Sequence, residues 1–169
     1  DQSSVQKLFL NNDPQGNNAV LMAAKYGKLE NLLKVIKNCQ SFNEIQLHSN
    51  IYGQTVAHFI ASHITEECDE IIKMLSPELI RTLDNINGFS PLMLAAYYQK
   101  ENNFKAFFDL NPEDQDSFFG NNLIHFLFLH HLLHLSLIIR YKNSYSSLTM
   151  KPNTLYLNLG NRFGRLLNN

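Results

Sequence analysis

The sequence predicts an all-α fold, a helical solenoid of about four stacked helix pairs, and three observations carry that expectation. First, segments headed by Gly16, Gly53, Gly88 and Gly120 resemble one another and stand 37, 35 and 32 residues apart, a spacing that marks repeat architectures. Second, each glycine is followed two residues later by Asn18, Thr55, Ser90 or Asn122. These small polar side chains suit the start of a helix, and a short apolar run follows each of them. Third, every unit continues into a second stretch with apolar residues at helical spacing, over 29–36, 70–75, 104–110 and 132–139. Two short helices of this kind cannot bury their apolar faces alone, so the units must stack on their neighbours.

Taken in order, residues 1–12 read as a degenerate leading cap, with 5–10 as its helix. The four repeats cover 13–49, 50–83, 84–115 and 116–148. In the third, Pro91 follows its cap at the first helical position, where the missing N–H removes no internal bond. Extra residues at 64–68 lengthen the loop between the two helices of the second repeat. Residues 149–169 read as a trailing cap in which 153–159 begins an incomplete fifth unit, as terminal repeats are usually atypical. The whole chain, 1–169, is expected to form a single domain.

Of the 169 residues 44% are hydrophobic, enough apolar mass to bury a core. Lysines and arginines number 14 against 15 acidic residues, which excludes nucleic acid as the main ligand, since phosphate recognition needs a concentrated surplus of positive charge. Cys39 and Cys68 lack CxxC spacing and fit buried thiols of a reducing compartment, so a cytoplasmic setting is expected. The polar opening, Asp1 to Val5, does not resemble a signal peptide. Residues 123–139 approach the length of a membrane span, but His125, His130, His131 and His134 interrupt them, and membrane association is not expected.

Few motifs suggest chemistry. His130 and His134 would share one face of a continuous helix, as in zinc sites, but repeat alignment puts His131 at a turn between helices, and neither an HExxH pattern nor a third ligand accompanies them. No metal site and no cofactor are expected. The stretch Gly160-Asn161-Arg162-Phe163-Gly164-Arg165 lacks the preceding strand and following Lys-Ser of a phosphate loop. Ser144 to Ser147 and the pair Glu66-Glu67 assemble no active site, and no catalytic residue is assigned.

The repeated segments resemble the ankyrin repeat family, whose pattern runs Asp, two variable residues, Gly, one variable residue, Thr-Pro-Leu-His, then an apolar residue and Ala-Ala. The third unit is the nearest match: Asp84-Asn85-Ile86-Asn87-Gly88-Phe89-Ser90-Pro91-Leu92-Met93-Leu94-Ala95-Ala96 departs by one inserted residue, Ser for Thr and Met for His. The first unit keeps Asp13, Gly16, Ala23, Ala24 and Gly27; the second keeps Gly53, Thr55, His58 and Ala61. The fourth keeps Asp116, Gly120 and His125 but has Leu127 and Phe128 in place of the alanines. The resemblance implies that His58 and His125 bond neighbouring loop backbone, and that Met22, Phe59, Leu94 and Phe126 face the core.

The same resemblance implies function. Ankyrin domains bind proteins through residues flanking the turn glycine and following Ala-Ala. Carried over, these are Gln15, Asn17, Lys25 and Tyr26; Ile51, Tyr52, Gln54, Ser62 and His63; Ile86, Asn87, Phe89, Tyr97 and Tyr98; and Phe118, Phe119, Asn121, Leu129 and His130. The aromatic and imidazole members, Tyr26, Tyr52, His63, Phe89, Tyr97, Tyr98, Phe118, Phe119 and His130, form the expected partner-binding set, since aromatics commonly anchor interfaces. The expectation is a monomeric, non-enzymatic module that grips a protein partner as part of a larger scaffold or effector. Drifted units rich in Asn, Lys, Ile, Phe and Tyr resemble those of effectors that intracellular bacteria deliver into host cells. The alternative is a targeting domain of a larger enzyme, or a metal-dependent hydrolase built on the histidine cluster.

Overall fold

The computed structural model describes residues 11–39 and 42–110, and over these the protein is all-α. Eight helices follow in order: α1 (Ala19–Lys25), α2 (Leu29–Asn38), α3 (Phe42–Ile45), α4 (Val56–His63), α5 (Asp69–Met74), α6 (Pro77–Arg81), α7 (Pro91–Tyr97) and α8 (Glu101–Leu110). No strand occurs among the described residues.

Three of the anticipated caps start helices. Asn18 is extended, and its Oδ1 accepts from the Leu21 N–H at 3.0 Å to open α1. Ser90 does the same for α7, its Oγ accepting from Met93 N–H at 3.2 Å with Pro91 in the first turn. Thr55 opens α4 in partnership with His58, whose Nδ1 accepts from the Thr55 N–H at 3.1 Å. Each bond pairs a donor that the helix end would leave without a partner.

The first helices of successive units pack in chain order, α4 lying between α1 and α7. Small side chains permit this approach: Ala24, Ala57, Ala61, Ala95 and Ala96 are fully buried. Flanked twice, α4 buries every residue from Val56 to Ser62. The second helices close the core from the other side, α2 against α1 and α8 against α7, α5 and α4, with Leu32, Ile72 and Phe107 fully buried. Apolar residues four apart on α2, Leu32 and Ile36, supply its inward face. Phe59 and Leu94 are core as expected, whereas Met22 is only half-buried.

Helix ends fix the passage between paired helices. After α1, Gly27 takes a φ of 69°, a conformation that glycine adopts without cost. A Cβ there would lie 2.8 Å from the His63 carbonyl oxygen, so the position also needs glycine for close approach. After α7, Gln99 occupies the corresponding left-handed conformation at φ 56°, and its N–H bonds the Ala96 carbonyl while that of Lys100 bonds Ala95.

Two short helices, α3 and α6, lie where the sequence reading expected none. The loop at 64–68 is anchored at both ends: Ile64 and Cys68 are buried while Thr65, Glu66 and Glu67 are exposed. Asn103 on α8 holds it, donating from Nδ2 to the carbonyls of Ile60 (2.9 Å) and Ile64 (2.8 Å) and accepting from the Cys68 thiol (3.0 Å). The expected fourth repeat at 116–148, with Asn122, Phe126, Phe118, Phe119, His130 and the histidine cluster, lies outside the described residues, as do 1–10 of the leading cap and all of the trailing one. The span tested at 123–139 is also outside them; among the described residues no helix is long and apolar enough to cross a membrane.

Candidate partner-binding face

Three similar turns precede α1, α4 and α7, and one side chain organises each. Asp13 Oδ1 accepts from the N–H groups of Gln15 (2.9 Å) and Asn17 (2.8 Å). Asn50 Oδ1 accepts from Tyr52 (3.0 Å) and Gln54 (2.9 Å). Asp84 Oδ1 accepts from Ile86 (3.0 Å), Asn87 (2.8 Å) and Gly88 (3.1 Å). The amide of Asn17, donating to Oδ2 at 2.8 Å, and then the turn N–H groups hold the Asp13 carboxyl below the usual carboxylate range. The third turn is one residue longer: Asp13 closes onto Asn17 and Asn50 onto Gln54, but Asp84 closes onto Phe89.

The turns are bonded edge to edge. Ile51 N–H donates to the Gln15 carbonyl at 3.0 Å, and Asn85 N–H to that of Tyr52 at 2.8 Å. Asn50 Nδ2 also donates to Asn17 Oδ1 at 3.0 Å, tying the first turn to the second. The tips therefore stand in one line and present Ile51 (63% exposed), Tyr52 and Ile86 to solvent.

A second line runs along the ends of α1, α4 and α7. It carries Tyr26, 71% exposed, then His63, then Tyr97 and Tyr98, the last 51% exposed. The Tyr97 and Tyr98 rings meet edge to face with centroids 5.1 Å apart. The ring of Phe89, in the third turn, lies 5.8 Å from that of Tyr97 and joins the two lines.

Five expected partner-binding residues, Tyr26, Tyr52, His63, Tyr97 and Tyr98, are thus brought to one exposed surface. Phe89 corrects the expectation: it is 8% exposed. Its carbonyl closes the turn with Asp84 N–H and accepts from His58 Nε2 at 3.1 Å, which holds the residue under the turn instead of at its tip. Asn17 at the same position before its cap is buried as well, and Ser62 is spent inward, its Oγ donating to the His58 carbonyl at 2.7 Å.

His58 is a fully buried link between α4 and the turn before α7. Its Nε2 donates to the Phe89 carbonyl while Nδ1 accepts from Thr55 N–H and faces the Thr55 hydroxyl at 2.9 Å. That pattern requires the neutral ring, and burial lowers its pKa to about 4 against the opposing pull of Asp84 and the carbonyls of Phe89 and Thr82. His63 is pushed down too, by partial burial and then by Lys100 and Lys25. Cys39 and Cys68 are both buried and free. Burial, with Asp69 and Glu66 nearby, raises the Cys68 thiol to about 12, which disfavours its thiolate. Among the described residues no group of three His, Cys, Asp or Glu side chains is placed to hold a metal ion.

Sequence reasoning missed Asn50, although its position three before Gly53 mirrors Asp13 before Gly16. No family model matches the chain, and no curated protein matches it.

Proposed function

We propose that this chain is an ankyrin-type interaction module, a non-enzymatic domain that binds a protein partner across the turn tips and the adjoining helix ends. One observation carries the reading. Of the ten large hydrophobic side chains exposed among the described residues, six belong to that surface: Tyr26, Ile51, Tyr52, Ile86, Tyr97 and Tyr98. Contiguous apolar exposure of this kind marks interaction surfaces, and aromatic side chains supply large contact area at little entropic cost. The backbone beneath is already fixed by the capped turns, so little ordering energy opposes binding. Tandem turns, small residues between first helices and the His58 link support the ankyrin assignment. Repeats of this type serve as scaffolds, and a part in a larger effector fits the drifted sequence.

Affinity capture from cell extract tests the reading. The wild-type chain is expected to retain a protein that a Tyr52→Ala, Tyr98→Ala double variant does not, with both giving the same circular dichroism spectrum. Equal retention by the two proteins would move the binding surface elsewhere.

A further inference from the structure

His63 ends α4, on the exposed line of helix ends that also carries Tyr26, Tyr97 and Tyr98. Its place there is fixed from two sides. Gly27 of the first unit comes so close that a Cβ on it would lie 2.8 Å from the His63 carbonyl oxygen, and the Phe59 ring meets the imidazole edge to face with centroids 5.5 Å apart. Ser62 then sets the proton on the ring. A hydroxyl has a single hydrogen, and the His58 carbonyl, which can only accept, takes that of Ser62 at 2.7 Å. The same oxygen lies 2.7 Å from His63 Nδ1, so at this contact the ring nitrogen is the donor. Neutral His63 therefore carries its proton on Nδ1 and leaves Nε2 as a bare acceptor. No bond among the described residues engages Nε2. The tyrosine hydroxyls beside it both donate and accept, whereas Nε2 accepts only.

We propose that His63 Nε2 is the specificity-determining acceptor of this face, receiving an N–H or O–H that the partner protein presents beside the exposed tyrosines, with Ser62 as the positioning residue that holds the required tautomer. The inference rests on the interaction reading above and adds the chemistry that the partner must offer at one point. A ring set in advance needs no reorganisation on binding, and a partner without a donor there would leave Nε2 stripped of water and unpaired. Protonation removes the acceptor, since both nitrogens of the imidazolium donate. Partial burial, and then the ammonium groups of Lys100 and Lys25, hold the ring's pKa below 6.5. The acceptor is thus present at neutral pH and is lost as pH falls through that lowered value.

Nitrogen NMR of the full chain with isotope-labelled histidine tests the tautomer. At neutral pH His63 is expected to be protonated at Nδ1 and bare at Nε2, and Ser62→Ala should shift it toward the Nε2–H form that unconstrained histidine prefers. The affinity of the chain for the protein it captures from cell extract is then compared at neutral pH and below the pKa of the ring. The wild type should weaken about tenfold or more in acid. His63→Gln, whose amide oxygen accepts at either pH, should not weaken, and His63→Lys, a donor only, should bind poorly at both; circular dichroism confirms that all three fold, since His58 titrates alike in each. An Nε2–H tautomer in the wild type, unchanged wild-type binding in acid, equal weakening of wild type and His63→Gln, or His63→Gln binding no better than His63→Lys at neutral pH would overturn the inference. If Tyr52→Ala with Tyr98→Ala loses the captured protein while one of those results holds, the interaction surface stands and the His63 inference alone falls. If the tyrosine pair binds as the wild type does, both fall.

Discussion

At the scale of single residues, two buried polar side chains, His58 and Asn103, tie α4 and the loop after it to the turn before α7 and to α8. His58 was legible only through the resemblance, which implied that its imidazole bonds neighbouring loop backbone; the structure adds that it also returns to the Thr55 cap three residues earlier. In the unfolded chain its imidazole takes up a proton near 6.5, in the folded protein only near 4. Between those values the unfolded state binds more protons, so stability falls as pH drops through this window and is fully present above it. The expected loss is on the order of 3 kcal/mol, and His63 pulls in the same direction. Urea denaturation at several pH values from neutral to acid measures it, and His58→Gln should flatten the slope while costing about 1–3 kcal/mol at neutral pH. Asn103 was not legible, because its partners are carbonyls and a thiol 35 to 43 residues away. Asn103→Leu strands the carbonyls of Ile60 and Ile64 and should cost about 2–4 kcal/mol. Modification of Cys68 by a thiol reagent should speed up in parallel, since the same side chain holds the loop closed.

At the scale of elements, the sequence located the first helices through their caps and the second ones through apolar spacing. It missed α3 and α6 because four and five residues are too few for a helical period to register. Pro77 opens α6, and packing against α7 makes so short a helix persist. The turn tips were located by their glycines, while the inward placement of Phe89 was not, since it depends on backbone bonds to Asp84 and His58. The passage from α7 to α8 gives a further prediction. Gln99 holds a left-handed conformation that Gly27 provides in the first unit. Gln99→Gly should therefore stabilise the protein by about 0.5–1 kcal/mol, seen as a raised denaturation midpoint, the relief of backbone strain exceeding the entropy that glycine adds to the unfolded chain.

At the scale of the molecule, the described helices α1, α4 and α7 pack in nearest-neighbour contacts, so damage at the middle of this line should spread to both sides. Ala95 is fully buried in α7. Ala95→Asp places an unpaired carboxylate there and should cost several kcal/mol, comparable to the stability of a whole domain, with loss of the cooperative melt as the readout. On the interaction reading proposed above, the exposed tyrosines serve binding while neighbouring aromatics hold the fold. Parallel measurement of melting temperature and affinity for the captured partner tests it most directly, comparing Tyr52→Ala with Tyr98→Ala against Phe89→Ala. The tyrosine pair should lose about 2 kcal/mol or more of binding with the melt shifted by no more than about 2 °C, and Phe89→Ala should lower stability by about 2–4 kcal/mol. If the tyrosine pair lowers the melting temperature as much as Phe89→Ala does, those rings belong to the core and the binding surface lies elsewhere.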